Sequence, residues 1–218
     1  MASTAKDNAI IELVKLSETP IPWCDEFEKM ISGMKSANSQ AMLDHKFKIR
    51  RLCKSFSDEP ILEDSSYQTF EAHRLSIIKK IIGRLGGETK IEASFFCTWG
   101  CNIFIGEKCY INRSVQIFDS APVIIGDRVL IGPSVGIYTD THEVDFTARQ
   151  ASERGSFAKP VKISDDCWIG AQVVILPGVT IGRGCTISAG AVVAKDIEEN
   201  SLAVGVPARV IRKLRIVD

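Results

Sequence analysis

Across the second half of the chain, a large aliphatic residue returns every six positions. Ile105, Ile111, Ile117, Ile125, Ile131 and Ile137 form one series, with a single step of eight between Ile117 and Ile125. Ile163, Ile169, Ile175, Ile181, Ile187 and Val193 form a second, without a slip. Four residues after most of them stands a small or β-branched partner, among them Cys109, Val115, Val129, Val135, Cys167, Val173, Val179, Cys185 and Ala191. A helix repeats at about 3.6 residues and a half-buried strand at about 2, so neither accounts for a step of six. Short strands joined by tight turns do, each burying one aliphatic side chain inside a narrow coil. That is the hexapeptide form of parallel β-helix.

The rest of the chain is organised around this ladder. The series reaches back to Cys97 and Ile91 if one further step of eight is allowed before Ile105. Residues 1–20 read as a flexible N-terminus ending in Thr19-Pro20-Ile21-Pro22. Helical patterns over about 23–34 and 39–56, and from Asp64-Ser65-Ser66 through Ile82 to Gly86-Gly87, make residues 21–88 a small helical cap. The repeat occupies residues 89–199, and its register is lost over a polar stretch, 138–162, which is expected to protrude as a loop. Long loops in compact folds are commonly functional. Residues 200–218 leave the repeat through Gly205 and Pro207 as a C-terminal tail. The expected fold is therefore mainly β: a left-handed parallel β-helix of hexapeptide repeats with an N-terminal α-helical cap and one protruding loop.

Bulk properties exclude several classes. Lys plus Arg and Asp plus Glu both total 27, so a nucleic-acid partner or a polybasic membrane role is not expected. The sequence has no apolar run near the length of a membrane span, and its start lacks a signal-peptide pattern, so a cytoplasmic protein is expected. Seven cysteines, an odd number, fit a reducing compartment. Cys109, Cys167 and Cys185 fall on the small inward position and read as core. Cys97 and Cys101 lack a second pair, so no metal site is expected.

Few residues remain for chemistry. Of three histidines, His45 and His73 fall in the cap among charged neighbours and read as solvated, whereas His142 stands where the ladder gives way to the loop. An imidazole titrates near neutral pH and can take a proton from a hydroxyl or an amine. Asn112, directly after Ile111, reads from the residues alone as a turn asparagine. Arg209 and Arg212 in the tail suit either a plain end cap or contacts to phosphate.

Several segments carry a resemblance. They are Ile125-Gly126-Asp127, Thr141-His142 with Asp145 beyond, Trp168-Ile169-Gly170, the run from Ile175-Leu176-Pro177-Gly178 to Gly182, Ala194-Lys195-Asp196, and Gly205-Val206-Pro207-Ala208-Arg209-Val210. With Glu28-Lys29-Met30 through Met34 in the cap, the chain resembles the sugar O-acetyltransferases of the hexapeptide-repeat superfamily, the maltose, galactoside and nodulation types, from about Phe27 to Arg212. The resemblance implies acetyl transfer from acetyl-CoA to a hydroxyl without a covalent enzyme intermediate or a metal. It implies a homotrimer with the cofactor groove between neighbouring solenoids. His142 matches the general base and Asn112 an amide that orients the acetyl carbonyl. Ala171, Ala189 and Ala194 match backbone contacts to the pantetheine arm. Lys195, Arg209 and Arg212 match basic contacts to its phosphate end, and Trp168 a position beside the cofactor. Asn38, Thr98, Asp119 and Ser120 match positions lining the acceptor pocket.

The chain also departs from that pattern. Relatives carry an aromatic and then an acidic residue where Ser36 and Asn38 stand, and a second acceptor-facing acid where Ser120 stands. A glutamate that orients the base is missing at Gly155 or Ser156, leaving Glu143, Asp145 and Glu153 as candidates to replace it. An acceptor other than the common sugars is expected, because lost carboxylates change which hydroxyls fit. Acetylation of an amine and a non-catalytic trimeric scaffold stand as alternatives. A zinc carbonic anhydrase on the same solenoid needs about three imidazoles, and the repeat offers His142 alone.

Overall fold

The computed structural model describes residues 1–58, 60, 63–64, 66–150 and 156–215. Four helices come first: α1 (Asn8–Val14), α2 (Asp25–Ile31), α3 (Gln40–Ser57) and α4 (Tyr67–Ile78). The side chains of Asp7, Ser39 and Ser66 accept backbone N–H groups at the starts of α1, α3 and α4, satisfying donors that have no partner inside a helix. Residues 1–20 are thus more ordered than their sequence suggests. In α1, Ile11 and Val14 are buried against Phe27, Met30, Met42 and Trp99.

The six-step series then winds into a left-handed parallel β-helix. Its first coil holds β1 (Arg84–Leu85), β2 (Lys90–Ile91) and β3 (Phe96–Cys97), its second β4 (Ile103–Ile105), β5 (Tyr110–Ile111) and β6 (Gln116–Phe118). The third holds β7 (Val123–Ile125), β8 (Leu130–Ile131) and β9 (Gly136–Tyr138). A protruding segment follows, made of β10 (Asp140–His142), α5 (Phe146–Gln150) and β11 (Ser156–Ala158). The fourth coil is β12 (Val161–Ile163), β13 (Trp168–Ile169) and β14 (Val174–Ile175), and the fifth β15 (Thr180–Ile181), β16 (Thr186–Ile187) and β17 (Val192–Val193). Last come β18 (Ser201–Val204) and β19 (Arg209–Lys213). The solenoid therefore reaches past both expected bounds, because β1 precedes residue 89 and β18 still pairs in parallel with β16.

Strands stack into three faces. The first runs β1-β4-β7-β12-β15, the second β2-β5-β8-β13-β16-β18, and the third β3-β6-β9-β14-β17, with β19 folded back antiparallel on β18. In-register pairing places Ile105 on Ile125, Ile111 on Ile131, and Ile117 on Ile137, and all are buried. Each contributes about 1.5–3 kcal/mol by leaving water. Three residues after most ladder isoleucines, the chain turns in the left-handed region, at Lys108, Ser114, Arg128, Ser134, Asp166 and Gln172 among others. That conformation is costly for a residue with a Cβ. Bonds to the previous coil hold it, as in Lys108 N–H to Gly87 (2.9 Å) and Arg128 N–H to Glu107 (2.8 Å).

Both eight-residue steps and the long break prove to be one feature. Each adds chain at the same corner, between the third and first faces: residues 98–102, then 119–122, then 139–160. Ile49, Cys53 and Phe56 of α3 and Ile77 and Ile78 of α4 extend the solenoid core over its open first coil. The helices α1 and α2 pack instead around Trp99, on the corner the extra residues build. Among the described residues, no helix is long and apolar enough to cross a membrane.

Candidate active site

The corner is braced from inside. Asp119 is fully buried, and its carboxylate accepts the backbone N–H groups of Thr98 (2.9 Å), Trp99 (2.9 Å) and Gly100 (2.7 Å). Burial pushes its carboxyl up to about 7, against the opposing pull of those N–H donors. Asp119 and the backbone of Thr98 thus shape the corner rather than line a pocket, which revises the expectation for Asp119. Gly100, at φ +70°, has no room for a side chain, since a Cβ would lie 2.2 Å from the Ile81 carbonyl.

A polar chain runs outward from this brace. The Trp99 indole N–H donates to Ser120 Oγ (3.2 Å), and Ser120 in turn neighbours the carboxylate of Asp140. Ser120 is buried. Asp140 is half-buried. Its carboxyl is raised by burial, opposed by the Ser120 hydrogen bond and by the charges of Lys46 and His142. His142 lies two residues further along β10, on the same side of the strand, and is exposed.

The cap closes over this strand. His45 of α3 is not solvated as its sequence suggests. Its ring stacks on Trp99 (6.2 Å between centroids), its Nε2 is 2.9 Å from the Trp99 carbonyl oxygen, and burial lowers its pKa. Lys46 Nζ sits 5.0 Å over the Trp99 ring and donates to Asn38 Oδ1 at 3.5 Å, bringing exposed Asn38 to the same region. The loop neck is shut by Thr139, which donates to Phe118 through both N–H (3.0 Å) and hydroxyl (2.6 Å) and accepts from Lys159 N–H (2.9 Å).

Two of the acids suggested for orienting His142 are engaged elsewhere. Glu143 lies 3.8 Å from Lys35 of the cap. Asp145 caps the start of α5, taking the N–H groups of Thr147 (2.7 Å) and Ala148 (3.3 Å) and the Thr147 hydroxyl. Glu153 and Gly155 lie outside the described residues. Among the described residues, the fold brings near His142 an acid, Asp140, that went unremarked in the sequence. Alternation along a strand, with an acid two residues before the histidine, was the signal that could have found it.

The other expected residues divide between two corners. Asn112 sits at the corner of the second and third faces, its Oδ1 accepting Arg113 N–H (2.8 Å). Ala171 and Ala189 lie on the same corner one and two coils beyond the Gly132 turn, where a Cβ on Gly132 or Gly170 would approach the next coil's backbone N to 2.7 and 2.5 Å. Ala194 and Lys195 follow β17 at the corner of the third and first faces, the one from which His142 emerges, and are exposed. A whole third face, roughly 15–20 Å at about 3.3 Å per residue, separates Asn112 from the corner of His142. Trp168, 57% exposed, points out from the second face in register with Leu130, and Leu130 with Tyr110. Arg209 and Arg212 are exposed on β19 at the end of that face. Among the described residues, no cluster of His, Cys, Asp or Glu could hold a metal ion.

Comparison with known proteins agrees with this fold. Residues 160–195 match the model of bacterial transferase hexapeptide (six repeats), and residues 122–137 that of the hexapeptide repeat of succinyl-transferase. The chain is 36% identical over 197 residues to a putative acetyltransferase of Schizosaccharomyces pombe, covering 89% of this chain and 94% of that one. It is 43% identical over 141 residues to the galactoside O-acetyltransferase of Escherichia coli, covering 65% and 68% respectively. Among solved structures, a hexapeptide-repeat acetyltransferase from Vibrio cholerae complexed with acetyl coenzyme A superposes with a TM-score of 0.78 at 36% identity, over 88% of this chain and 100% of that one.

Proposed function

Since the chain belongs to the hexapeptide-repeat acetyltransferases, we propose that it moves an acetyl group from acetyl-CoA to a hydroxyl of a small polar acceptor, with His142 as general base. The observation that carries this reading is the position of His142. It closes β10 at the third and longest of the stacked corner insertions, exposed, with the cap drawn over the same strand.

Acetyl-CoA supplies the acetyl thioester. His142 takes the proton of the acceptor hydroxyl as its oxygen bonds to the acetyl carbon. The carbon–sulfur bond breaks, and the proton passes to the departing thiolate. A positioned base of this kind contributes about 10²–10⁴-fold. Asn112 serves as the oxyanion-side donor. With Oδ1 taken by Arg113 N–H, its Nδ2 is the end left for an acetyl oxygen.

The division between corners supports a site built from two copies. One copy offers His142 with Ala194 and Lys195, and its neighbour offers Asn112 with Ala171 and Ala189. The small residues on the second corner leave the backbone within reach of an extended arm, and a Cβ on Gly190 would meet nothing within 4 Å. Lys195, Arg209 and Arg212 supply positive charge for phosphates. The exposed column of Tyr110 (36%), Leu130 (49%) and Trp168 (57%) suits burial between copies in a closed homotrimer.

Thiol release from acetyl-CoA, measured against a panel of sugars, amino sugars and small alcohols, tests this. His142→Ala should lower turnover about 10²–10⁴-fold while leaving CoA binding intact by calorimetry. A wild-type protein that does not bind CoA would sink the proposal.

A further inference from the structure

We propose that Asp140 is the specificity-determining carboxylate of the acceptor site, accepting hydrogen bonds from hydroxyls next to the one that His142 deprotonates. This rests on the acetyl-transfer reading above.

The other described acids of the corner and loop are already occupied. Asp119 is enclosed by three backbone N–H groups. Glu143 faces Lys35, and Asp145 is spent on the turn that begins α5. Ser120 is buried, its Oγ accepts from the Trp99 indole at 3.2 Å, and Asp140 lies beside it one coil further on. Alternation along β10 puts it on the same side as His142, so a molecule meeting the base also meets this carboxylate.

Asp140 lies within the field of Lys46, whose ammonium also reaches Asn38, and Glu143 is matched by Lys35. A carboxylate beside an ammonium suits hydroxyls, which both give and take a hydrogen bond.

The test compares steady-state kinetics of the full-length wild type, Asp140→Asn and Ser120→Ala, with acetyl-CoA and maltose, methyl β-galactoside, glycerol or glucosamine as acceptor. Asp140→Asn keeps the side-chain size, so it should raise KM for the hydroxyl acceptors roughly ten- to a hundredfold, the range for a hydrogen bond to a charged group. KM for acetyl-CoA should stay within about twofold, because its proposed contacts lie on other coils. Ser120→Ala should raise acceptor KM less, with acetyl-CoA again unaffected. An unchanged acceptor KM in Asp140→Asn, or an equal rise in both KM values, would overturn the role of Asp140 while leaving acetyl transfer standing. A wild type active on glucosamine nitrogen but not on the polyols would overturn a carboxylate that serves hydroxyls. Wild-type protein inert toward all four would overturn the reading beneath it as well.

Discussion

Replacing Asp119 with Asn should change how stability depends on pH, with a sign set by the burial of its carboxyl. The Asp119 carboxyl is wholly buried, and its pKa rises from an ordinary 3.8 to about 7, mainly because burial penalises the charge. A tenfold change in proton affinity corresponds to about 1.4 kcal/mol, so ionising it inside the fold costs about 4 kcal/mol more than in the unfolded chain. Below about pH 4 both states hold the proton, and this residue adds no pH dependence. Between about pH 4 and 7 the unfolded chain loses its proton first, and stability falls as pH rises. Asn cannot titrate, so in Asp119→Asn this slope should vanish. Urea unfolding at fixed protein concentration, from pH 4 to 8, reads the difference between the two proteins. Wild type should lose up to about 4 kcal/mol relative to the variant across that range. Parallel curves would show that the three N–H donors outweigh burial, and that the carboxylate is charged throughout.

Two further outcomes follow from the second corner and the basic contacts. Gly170→Ala would place a Cβ 2.5 Å from the Ala189 backbone N and 2.9 Å from the Ile187 carbonyl, so neighbouring coils must part. A loss of roughly 1–3 kcal/mol by thermal unfolding is expected, with a raised KM for acetyl-CoA; unchanged stability would show that the coils yield freely. Lys195→Ala and Arg209→Ala should each raise KM for acetyl-CoA severalfold at low salt, and less at about 0.5 M salt, where surface charges are screened. A salt-independent effect would point to packing instead of phosphate contact.

The coil interior was legible because one inward position recurs in every six residues and nothing else in the chain competes with it. Even the cysteines Cys109, Cys167 and Cys185 are buried where the ladder put them. Harder to read was the first helix, α1, since a seven-residue element depends on its Asp7 cap and on burial against Phe27 and Trp99, contacts made at a distance. The same reason hid His45, whose surroundings in sequence are charged but whose ring rests on Trp99, 54 residues away. His142 announced itself by opening a break in the ladder. Asp140 did not, because its meaning comes from Ser120, Trp99 and Lys46, which three different parts of the chain deliver to one corner. Residues that act by position in the repeat show in sequence, whereas residues that act by assembly of corner, cap and loop do not.

A mixed-oligomer experiment tests most directly whether the site is shared between copies. His142→Ala and Asn112→Ala chains, each nearly inactive alone, are co-expressed in equal amounts and purified together through distinct tags. If His142 and Asn112 meet across an interface, each mixed trimer holds about one site in three with both residues intact, and acetyl transfer should return to about a third of wild type. If one chain holds a complete site, the mixture will show no more activity than the sum of its two parents.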